Sequence, residues 1–155
     1  MNCVDFYEIR PENCPRQPGV YLVLLSLPQG KRIKVGALGE FFFAPGYYLY
    51  VGSAMGGLYR RIGRYFRNTG KIRWHLDYLL KEACLEKILV YPTETRMECV
   101  VSDRIASRLE RPVNGFGSSD CRCPSHLFYA PLSVDPLVEV IWFGEKKYRE
   151  DASSK

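Results

Sequence analysis

The sequence predicts an α+β domain with a small, mainly antiparallel sheet flanked by helices. Runs of β-branched, aliphatic and aromatic residues, such as 19–27, alternate with segments of helical periodicity, such as 57–67. The chain has 155 residues, which suits one compact core. Hydrophobic residues make up 46% of it and charged residues 25%, so we expect it to fold rather than stay disordered.

Strands dominate the first third of the predicted domain. Residues 1–18 are polar and carry prolines, so they are predicted to be an irregular lead-in. The segment GVYLVLLSL (19–27) predicts a buried strand, PQGK (28–31) a turn, and RIKVG (32–36) the returning arm of a hairpin. Residues 40–53 predict two short strands, or one strand broken at an Ala-Pro-Gly sequence.

Helical signals begin after this strand. Leu58, Ile62 and Phe66 recur at i, i+4 and i+8, which predicts an amphipathic helix over 57–67 that ends at 68–71. A third helix is predicted over 93–110, with Thr93 or Thr95 as its cap and Arg111-Pro112 as its stop. The remaining predicted segments are a helix (73–83), a strand (86–91), a loop (114–125), two late strands (126–132 and 138–144) and a charged tail (145–155). We therefore expect a single domain over 19–144.

Positive charge is concentrated in one segment. The chain has 22 Lys and Arg against 17 Asp and Glu, a net charge of +5, and residues 59–73 contain six basic residues and no acid. Such a local patch favours a nucleic-acid partner more than the total charge does. The sequence offers no apolar run long enough to span a membrane and no signal peptide, so we expect a cytoplasmic protein.

Six cysteines are expected to be reduced thiols or metal ligands in that compartment. Cys121, Cys123 and His126 form a C-x-C-x-x-H pattern, and either Cys99 or Cys84 would complete four ligands for a structural Zn²⁺ ion. The alternative is that these groups only shape or pack the loop, because C-x-C is less typical of zinc than C-x-x-C.

A tyrosine-rich strand, a glycine-rich turn and an arginine-rich helix follow one another over residues 46–67, an order that favours anion binding. The tripeptides Gly19-Val20-Tyr21 and Tyr50-Val51-Gly52 resemble the two halves of the GIY-YIG nuclease signature. The segment YVGSAMGGLYRRIGRYF resembles the strand-to-helix segment of that family. Arg61 fits the family arginine best, with Arg60 as the rival register, and Tyr65 lies four residues after Arg61.

Two downstream marks of the family occur in the expected order. Glu98 lies in the predicted third helix. Asn114 lies sixteen residues after Glu98 and shortly after a proline. The segments WHLDYLL and GFGSSDCRCPSHLFY extend the resemblance to Tyr129 and make it closest to the Uri subgroup of GIY-YIG-related proteins, also catalogued as domain of unknown function 123.

Here 28 residues separate the two tripeptides, so the insert, about 28–46, is expected to be an added hairpin or loop.

This resemblance implies an endonuclease that hydrolyses DNA phosphodiesters with water and one Mg²⁺ or Mn²⁺ ion. Glu98 would hold the metal, Arg61 would bind the scissile phosphate, and Tyr21 or Tyr50 would orient or deprotonate the water. Cationic neighbours would favour the phenolate form that this base requires. Tyr65 would hold the water or the phosphate, and Asn114 would hold Tyr50 or the substrate.

Other basic and polar residues are candidates for supporting roles. The flanking phosphates would be bound by Arg60, Arg64, Arg67, Lys71 and Arg73. His75, beside Asp77, is either an acid–base group or a half-buried helix histidine. The DNA is expected to be branched or damaged, and either a protein partner supplies targeting or the domain recognises the shape of the DNA itself.

Two alternatives stay open at the sequence level. One is a nucleic-acid-binding module that keeps the fold and the basic surface without cleaving DNA. The other is a small zinc-stabilised interaction domain. Each candidate residue also has an ordinary structural interpretation, since tyrosines are common in strands, and arginines and glutamates are common on solvated helix faces.

Overall fold

A computed structural model of the chain describes residues 6–67, 70–119 and 121–137. Its strands are β1 (Tyr7–Ile9), β2 (Gly19–Leu27), β3 (Lys31–Lys34), β4 (Glu40–Phe43), β5 (Gly46–Ala54), β6 (Cys84–Pro92) and β7 (Leu127–Ala130). Its helices are α1 (Leu58–Arg67), α2 (His75–Leu80) and α3 (Glu98–Ala106). Among the described residues, five strands form one sheet in the order β1-β6-β2-β5-β7, and every neighbouring pair is antiparallel. The predicted α+β class is confirmed.

The sheet carries helices on both faces, and this explains the apolar character of its central strand. All nine residues of β2 are buried, because alternate side chains pack against different layers. On one face Tyr21, Val23 and Leu25 pack with residues of α1 and α2. On the other face, the remaining β2 side chains pack with Val101 and Ile105 of α3. The helices that carry the predicted arginines and the predicted glutamate therefore lie on opposite sides of the sheet.

The insert between the two tripeptides is a separate hairpin, as expected. β3 pairs with β4 in a two-stranded sheet of its own, from Lys31 opposite Phe43 to Lys34 opposite Glu40. The prediction that 32–36 would return against the preceding strand was wrong, because β2 is already paired on both edges, by β5 and by β6. The hairpin instead packs through Phe43, whose ring lies 5.6 Å from that of Tyr48.

The lead-in predicted to be irregular contains a strand. β1 covers three residues and pairs with β6, with Tyr7 opposite Val90 and Ile9 opposite Ile88. Only Ile9 of this strand is buried, so the segment has too little apolar alternation to reveal a strand by pattern. The pairing covers an edge of β6 that would otherwise be unprotected.

Helix boundaries differ most from the sequence prediction at α3. It begins at Glu98 rather than 93, because the Thr93 N–H donates to the Pro18 carbonyl at 3.0 Å and the chain bends at residues 94 and 95 before the helix starts. Neither threonine caps it, since the Thr93 hydroxyl accepts from the Thr95 N–H at 3.1 Å. The helix also ends at Ala106, before the predicted stop, and Glu110 already bridges to Tyr129.

The other predicted elements agree with the structure within a few residues, apart from the shorter α2. The predicted strand over 138–144 and the tail over 145–155 lie outside the described residues. Within the described part of the chain, no helix combines the length and the apolar character needed to cross a bilayer.

A buried ion pair joins α1 to the start of α2. Arg64 Nη1 lies 3.1 Å from both carboxylate oxygens of Asp77, and the two side chains are only 13% and 6% exposed. The Oδ2 atom of Asp77 also accepts the backbone N–H groups of Arg73 and Trp74, at 2.7 and 2.9 Å, and so caps α2. Arg64, predicted to bind flanking phosphates, is therefore committed to holding the two helices together.

Arg64→Ala should lower the free energy of unfolding by about 3–5 kcal/mol, because it leaves the Asp77 charge buried without its partner. Urea denaturation followed by circular dichroism measures this. Arg60→Ala is the matched control, since Arg60 is exposed on the same helix and its loss should change stability by no more than about 0.5 kcal/mol. A loss in Arg64→Ala no larger than in the control would contradict this role.

Candidate active site

The register of β2 against β5 places two predicted tyrosines side by side. Tyr21 lies opposite Gly52, and Val23 lies opposite Tyr50, so the two tyrosines are diagonal neighbours on one face of the sheet. Their ring centroids are 6.5 Å apart. The two tripeptides of the sequence signature thus meet in space, although the hairpin β3–β4 separates them along the chain.

Two glycines make room for these rings. A Cβ atom on Gly52 would lie 2.4 Å from the Cζ and hydroxyl oxygen of Tyr21, so the Tyr21 ring lies directly over the glycine backbone. A Cβ on Gly117 would lie 2.5 Å from the Tyr50 ring, and Gly117 has a φ of +70°, which other residues rarely adopt. The positions of both phenols therefore depend on a glycine beneath each of them.

The Tyr21 hydroxyl is the centre of a small hydrogen-bond network. It lies 2.9 Å from the hydroxyl of Tyr65, which is buried on α1. Arg61 Nη1 donates to the same Tyr21 oxygen at 3.3 Å and to the carbonyl of Ser53 at 3.4 Å. Arg61, rather than Arg60, is therefore the arginine that contacts the signature tyrosine, as the preferred register predicted.

Trp74 holds the arginines of α1 in place. The Cζ atoms of Arg61 and Arg64 lie 4.1 and 4.6 Å from its ring centroid, within the range of cation–π attraction. The helix predicted over 73–83 would include Trp74, but Trp74 precedes the first residue of α2. Its ring restricts the orientation of the Arg61 guanidinium.

Glu98 reaches the same place from the opposite face of the sheet. Within the described residues, β7 pairs with β5 from Tyr47 to Tyr50, and the Val51 N–H makes one more bond, to the His126 carbonyl. Beyond Val51 this edge of β5 lines a cavity instead of meeting a strand. Glu98, the first residue of α3, accepts a hydrogen bond from the Ser53 hydroxyl at this edge.

The cavity brings together four of the six predicted catalytic residues. It has a volume of about 320 Å³, and its lining includes Tyr21, Tyr50, Arg61 and Glu98. Arg73 and Arg96 also line it, so three arginines face one carboxylate. An adjoining groove of about 230 Å³ shares Arg61 and Arg73 with the cavity and adds Arg60 and Arg64. Among the described residues of the site, several arginines thus accompany one acidic residue, Glu98, and this excess of positive charge suits a phosphate-bearing ligand.

Asn114, Arg67 and Lys71 are predicted site residues that lie outside both the cavity lining and its adjoining groove. Asn114 is exposed, and Tyr50 is held instead by Phe116, with ring centroids 6.0 Å apart, and by Gly117. Arg67 and Lys71 are also exposed and line neither the cavity nor its adjoining groove.

Tyr50 does not suit the role of a base. Burial raises the pKa of its phenol, the neighbouring Tyr21 raises it further, and the lowering effect of Arg61 does not compensate. Burial likewise raises the pKa of Tyr65. The expectation that cationic neighbours would favour phenolate therefore fails for Tyr50, which stays a neutral hydrogen-bonding group at neutral pH.

His75 lines the cavity, but Asp77 does not orient it. Its Nδ1 accepts the N–H of Gly117 at 2.8 Å, which leaves the ring proton on Nε2 in the neutral imidazole. Burial lowers the pKa of His75, so the neutral form prevails at pH 7. The His75–Asp77 pairing considered from the sequence is absent, because Asp77 is used by Arg64 and by the start of α2.

A cluster of three cysteines and one histidine borders the cavity. The ligand atoms of Cys99, Cys121, Cys123 and His126 all lie within 4.8 Å of one another. Cys99 of α3 thus completes the C-x-C-x-x-H pattern. The other candidate, Cys84, is an exposed thiol at the start of β6 and is not part of the cluster.

The histidine of this cluster is oriented for metal binding. His126 Nδ1 lies 3.2 Å from the carbonyl of Val51 and donates its proton there, so its Nε2 faces the thiols without a proton. Nε2 is 3.3 Å from Cys121 Sγ and 3.9 Å from Cys99 Sγ. Three thiolates and one imidazole form a set typical of structural Zn²⁺, and a backbone carbonyl on the second ring nitrogen is the usual outer partner.

Comparison with known proteins now places the chain in a family. The family model described as domain of unknown function DUF123 matches residues 20–147. The chain belongs to the DUF123 family. Comparisons with curated proteins and with solved structures gave no match. The matched range includes Val20 and Tyr21 of the first tripeptide, the whole second tripeptide, Arg61, Glu98 and the cysteine–histidine cluster.

Sequence reasoning missed three residues of this DUF123 site. Trp74 was treated as a core residue, Ser53 was noted only as part of a motif, and Arg96 was not considered. Arg96 pairs with Glu98 at 3.4 Å and lies two residues before it. The position of Arg96 two residues before the predicted carboxylate is the one sequence signal that would have identified this arginine. No such signal exists for Trp74, because its contacts depend on how α1 packs against α2.

Gly52→Ala should displace the Tyr21 phenol, because the added methyl group would occupy the position of the ring. We expect a loss of about 1–3 kcal/mol in the free energy of unfolding, measured by urea denaturation. Gly56→Ala is the control, since a Cβ there meets no atom within 4 Å. Equal stabilities of the two variants would show that Gly52 is not needed to seat Tyr21.

Proposed function

We propose that this DUF123 domain is a metal-dependent endonuclease of the GIY-YIG type that hydrolyses phosphodiester bonds in DNA. One observation carries the proposal. Tyr21, Arg61 and Glu98 come from β2, α1 and α3, on two sides of the sheet, and they line the same polar cavity. A phenol, a guanidinium and a carboxylate are the groups needed to activate water, hold a phosphate and bind a divalent ion.

Arg61 is the phosphate-binding group in this proposal. Its guanidinium is oriented in advance by the Trp74 ring and by bonds to Tyr21 and to the Ser53 carbonyl. A group held in this way donates to the scissile phosphate without first losing conformational freedom. Arginine suits this role better than lysine because its planar donors match two phosphate oxygens at once.

Tyr21 is the group that handles the proton of the attacking water. Arg61 donates to its oxygen, which stabilises negative charge there, and Tyr65 shares a hydrogen bond with the same oxygen. In this step Tyr21 acts as a phenolate whose own proton has already passed to solvent. Its oxygen accepts a proton from the attacking water as the water oxygen forms its bond to phosphorus, the bond from phosphorus to the leaving oxygen breaks, and that oxygen takes a proton from solvent. Tyr50 contributes to the cavity wall as a neutral phenol, since burial raises its pKa.

Glu98 is the ligand for a divalent ion. It is the carboxylate in the cavity lining, its side chain is 15% exposed, and the Ser53 hydroxyl holds its Oε2 atom. One oxygen-donating carboxylate beside a polar cavity fits Mg²⁺ or Mn²⁺, which retains several waters. A bound ion would supply Lewis-acid stabilisation of the leaving oxygen.

The surrounding arginines favour a nucleic-acid substrate. Arg60 and Arg73 line the groove that adjoins the cavity, so they are placed to bind phosphates that flank the scissile one. These contacts read the backbone rather than the sequence, which agrees with an enzyme that recognises branched or damaged DNA by shape. A protein partner would supply any further targeting.

We also infer that the Cys3His cluster binds one structural Zn²⁺ ion. Cys99 lies in the first turn of α3, directly after Glu98, and the other ligands lie in the loop before β7 and next to it. A zinc ion would tie the first turn of α3 to this loop and thereby hold Glu98 at the cavity. Zinc therefore accompanies the proposed catalytic ion rather than replacing it.

Cleavage assays test the proposed activity. Purified protein is incubated with labelled single-stranded, duplex and branched DNA in Mg²⁺ or Mn²⁺, and product is expected from at least one substrate. Glu98→Ala and Tyr21→Phe should abolish cleavage, and Arg61→Ala should slow it by about 100-fold to 1,000-fold. Arg32→Ala, on the distant hairpin β3–β4, is the control and should retain the wild-type rate. Tight binding without cleavage in either metal would favour the non-cleaving module instead.

Metal analysis of the purified protein tests the structural site. We expect about one zinc ion per chain of the wild type. The Cys99→Ser variant and the His126→Ala variant should each lose the zinc ion and become less stable to unfolding. Cys84→Ser is the matched control, because this exposed thiol lies outside the cluster and its loss should leave the zinc content unchanged. The inference is contradicted if freshly purified wild-type protein holds much less than one zinc ion per chain and also fails to take up added Zn²⁺.

A further inference from the structure

Both carboxylate oxygens of Glu98 are occupied by protein groups of different kinds. Ser53 donates its hydroxyl to Oε2, and Arg96 Nη1 lies 3.4 Å from Oε1. Ser53 belongs to β5 and is fixed by its pairing with Val20 of β2. Arg96 precedes α3 on a loop and its side chain is 70% exposed. One partner therefore belongs to the paired sheet, and the other extends from a loop toward solvent.

The Arg96–Glu98 pair is weak by geometry and exposure. A separation of 3.4 Å is long for an ion pair, and solvent reaches most of the arginine side chain. The other two arginines of the cavity are engaged elsewhere: Arg61 with Tyr21 and the Ser53 carbonyl, and Arg73 within 6.0 Å of the Trp74 ring centroid. Arg96 is the cavity arginine that the structure pairs with the carboxylate.

We propose that Arg96 exchanges between Glu98 and a substrate phosphate, and that this exchange couples DNA binding to divalent-ion binding. This inference rests on the proposed function. In the free protein, the guanidinium of Arg96 covers the Glu98 oxygen that a divalent ion requires. A phosphate group in the cavity attracts Arg96 away from that oxygen, while Ser53 keeps the carboxylate in position.

Two consequences of opposite sign follow from this exchange. Removing Arg96 exposes Glu98, so the free protein should bind a divalent ion more tightly. Removing Arg96 also deletes one phosphate contact, so DNA should bind more weakly. Because binding linkage is reciprocal, the ion and the DNA each strengthen the binding of the other in the wild type by an equal factor.

Mn²⁺ titrations followed by electron paramagnetic resonance, with the full chain and without DNA, test the first consequence. Arg96→Ala should bind Mn²⁺ about threefold to fivefold more tightly than the wild type, and Arg96→Lys should fall between them. Arg32→Ala is the matched control: Arg32 is also exposed and paired with a carboxylate, Glu40, on the hairpin, and its loss should leave the Mn²⁺ affinity unchanged.

Binding of a labelled branched oligonucleotide in EDTA, over a range of salt concentrations, tests the second consequence. Arg96→Ala should weaken this binding and reduce the slope of log affinity against log salt by about one. The proposal is overturned if Arg96→Ala binds Mn²⁺ no more tightly than Arg32→Ala, or if the salt slope does not change.

Glu98→Gln separates failure of this inference from failure of the proposed function. If Glu98→Gln weakens Mn²⁺ binding but Arg96→Ala leaves the Mn²⁺ affinity unchanged, only the proposed exchange is wrong. If Glu98→Gln binds Mn²⁺ as the wild type does, then Glu98 is not the metal ligand, and both the exchange and the metal assignment are overturned.

Discussion

The pairing of β2 with β5 is the constraint on which the candidate site depends. Its register sets Tyr21 over Gly52 and beside Tyr50. The same pairing buries β2 between two helical layers, so stability of the sheet and placement of the signature residues have one cause. A shift of β2 by one residue along β5 would turn the β2 side chains over, so that Tyr21 would lie on the other face of the sheet, away from Tyr50 and Arg61.

The second constraint is the short length of β7. This strand covers β5 only as far as Tyr50, and the following edge of β5 borders the cavity. Helices on opposite faces ordinarily cannot contribute to one site, because the sheet lies between them. Here Arg61 and Glu98 both bond to Ser53, one through its carbonyl and the other through its hydroxyl, at the edge where the two faces meet.

Much of the fold was predictable because local signals were strong. The β2 strand, the amphipathic stripe of α1 and the inserted hairpin each follow from periodicity or spacing. The boundaries of β1 and α3 were not predictable, because β1 is defined by pairing with β6, and Thr93, before α3, is bonded to the Pro18 carbonyl. These are contacts between distant segments, and local propensity does not encode them.

The same distinction applies to the site. Tyr21, Arg61 and Glu98 were predicted from a pattern of residue types in order, and they share a cavity. Asn114 followed the same pattern but lies exposed, and Arg64 was assigned to phosphates although it is buried against Asp77. Charge on a helix face cannot reveal whether an arginine meets solvent or a carboxylate from a neighbouring element.

Glu98 and Cys99 are consecutive residues in one helical turn, and their side chains belong to different sites. The carboxylate belongs to the cavity, and the thiol belongs to the cysteine–histidine cluster. Neither can shift along the chain without carrying the other with it. We therefore expect related proteins to keep or to lose these two residues together. In relatives that lack the cysteine, the acidic residue should also be substituted.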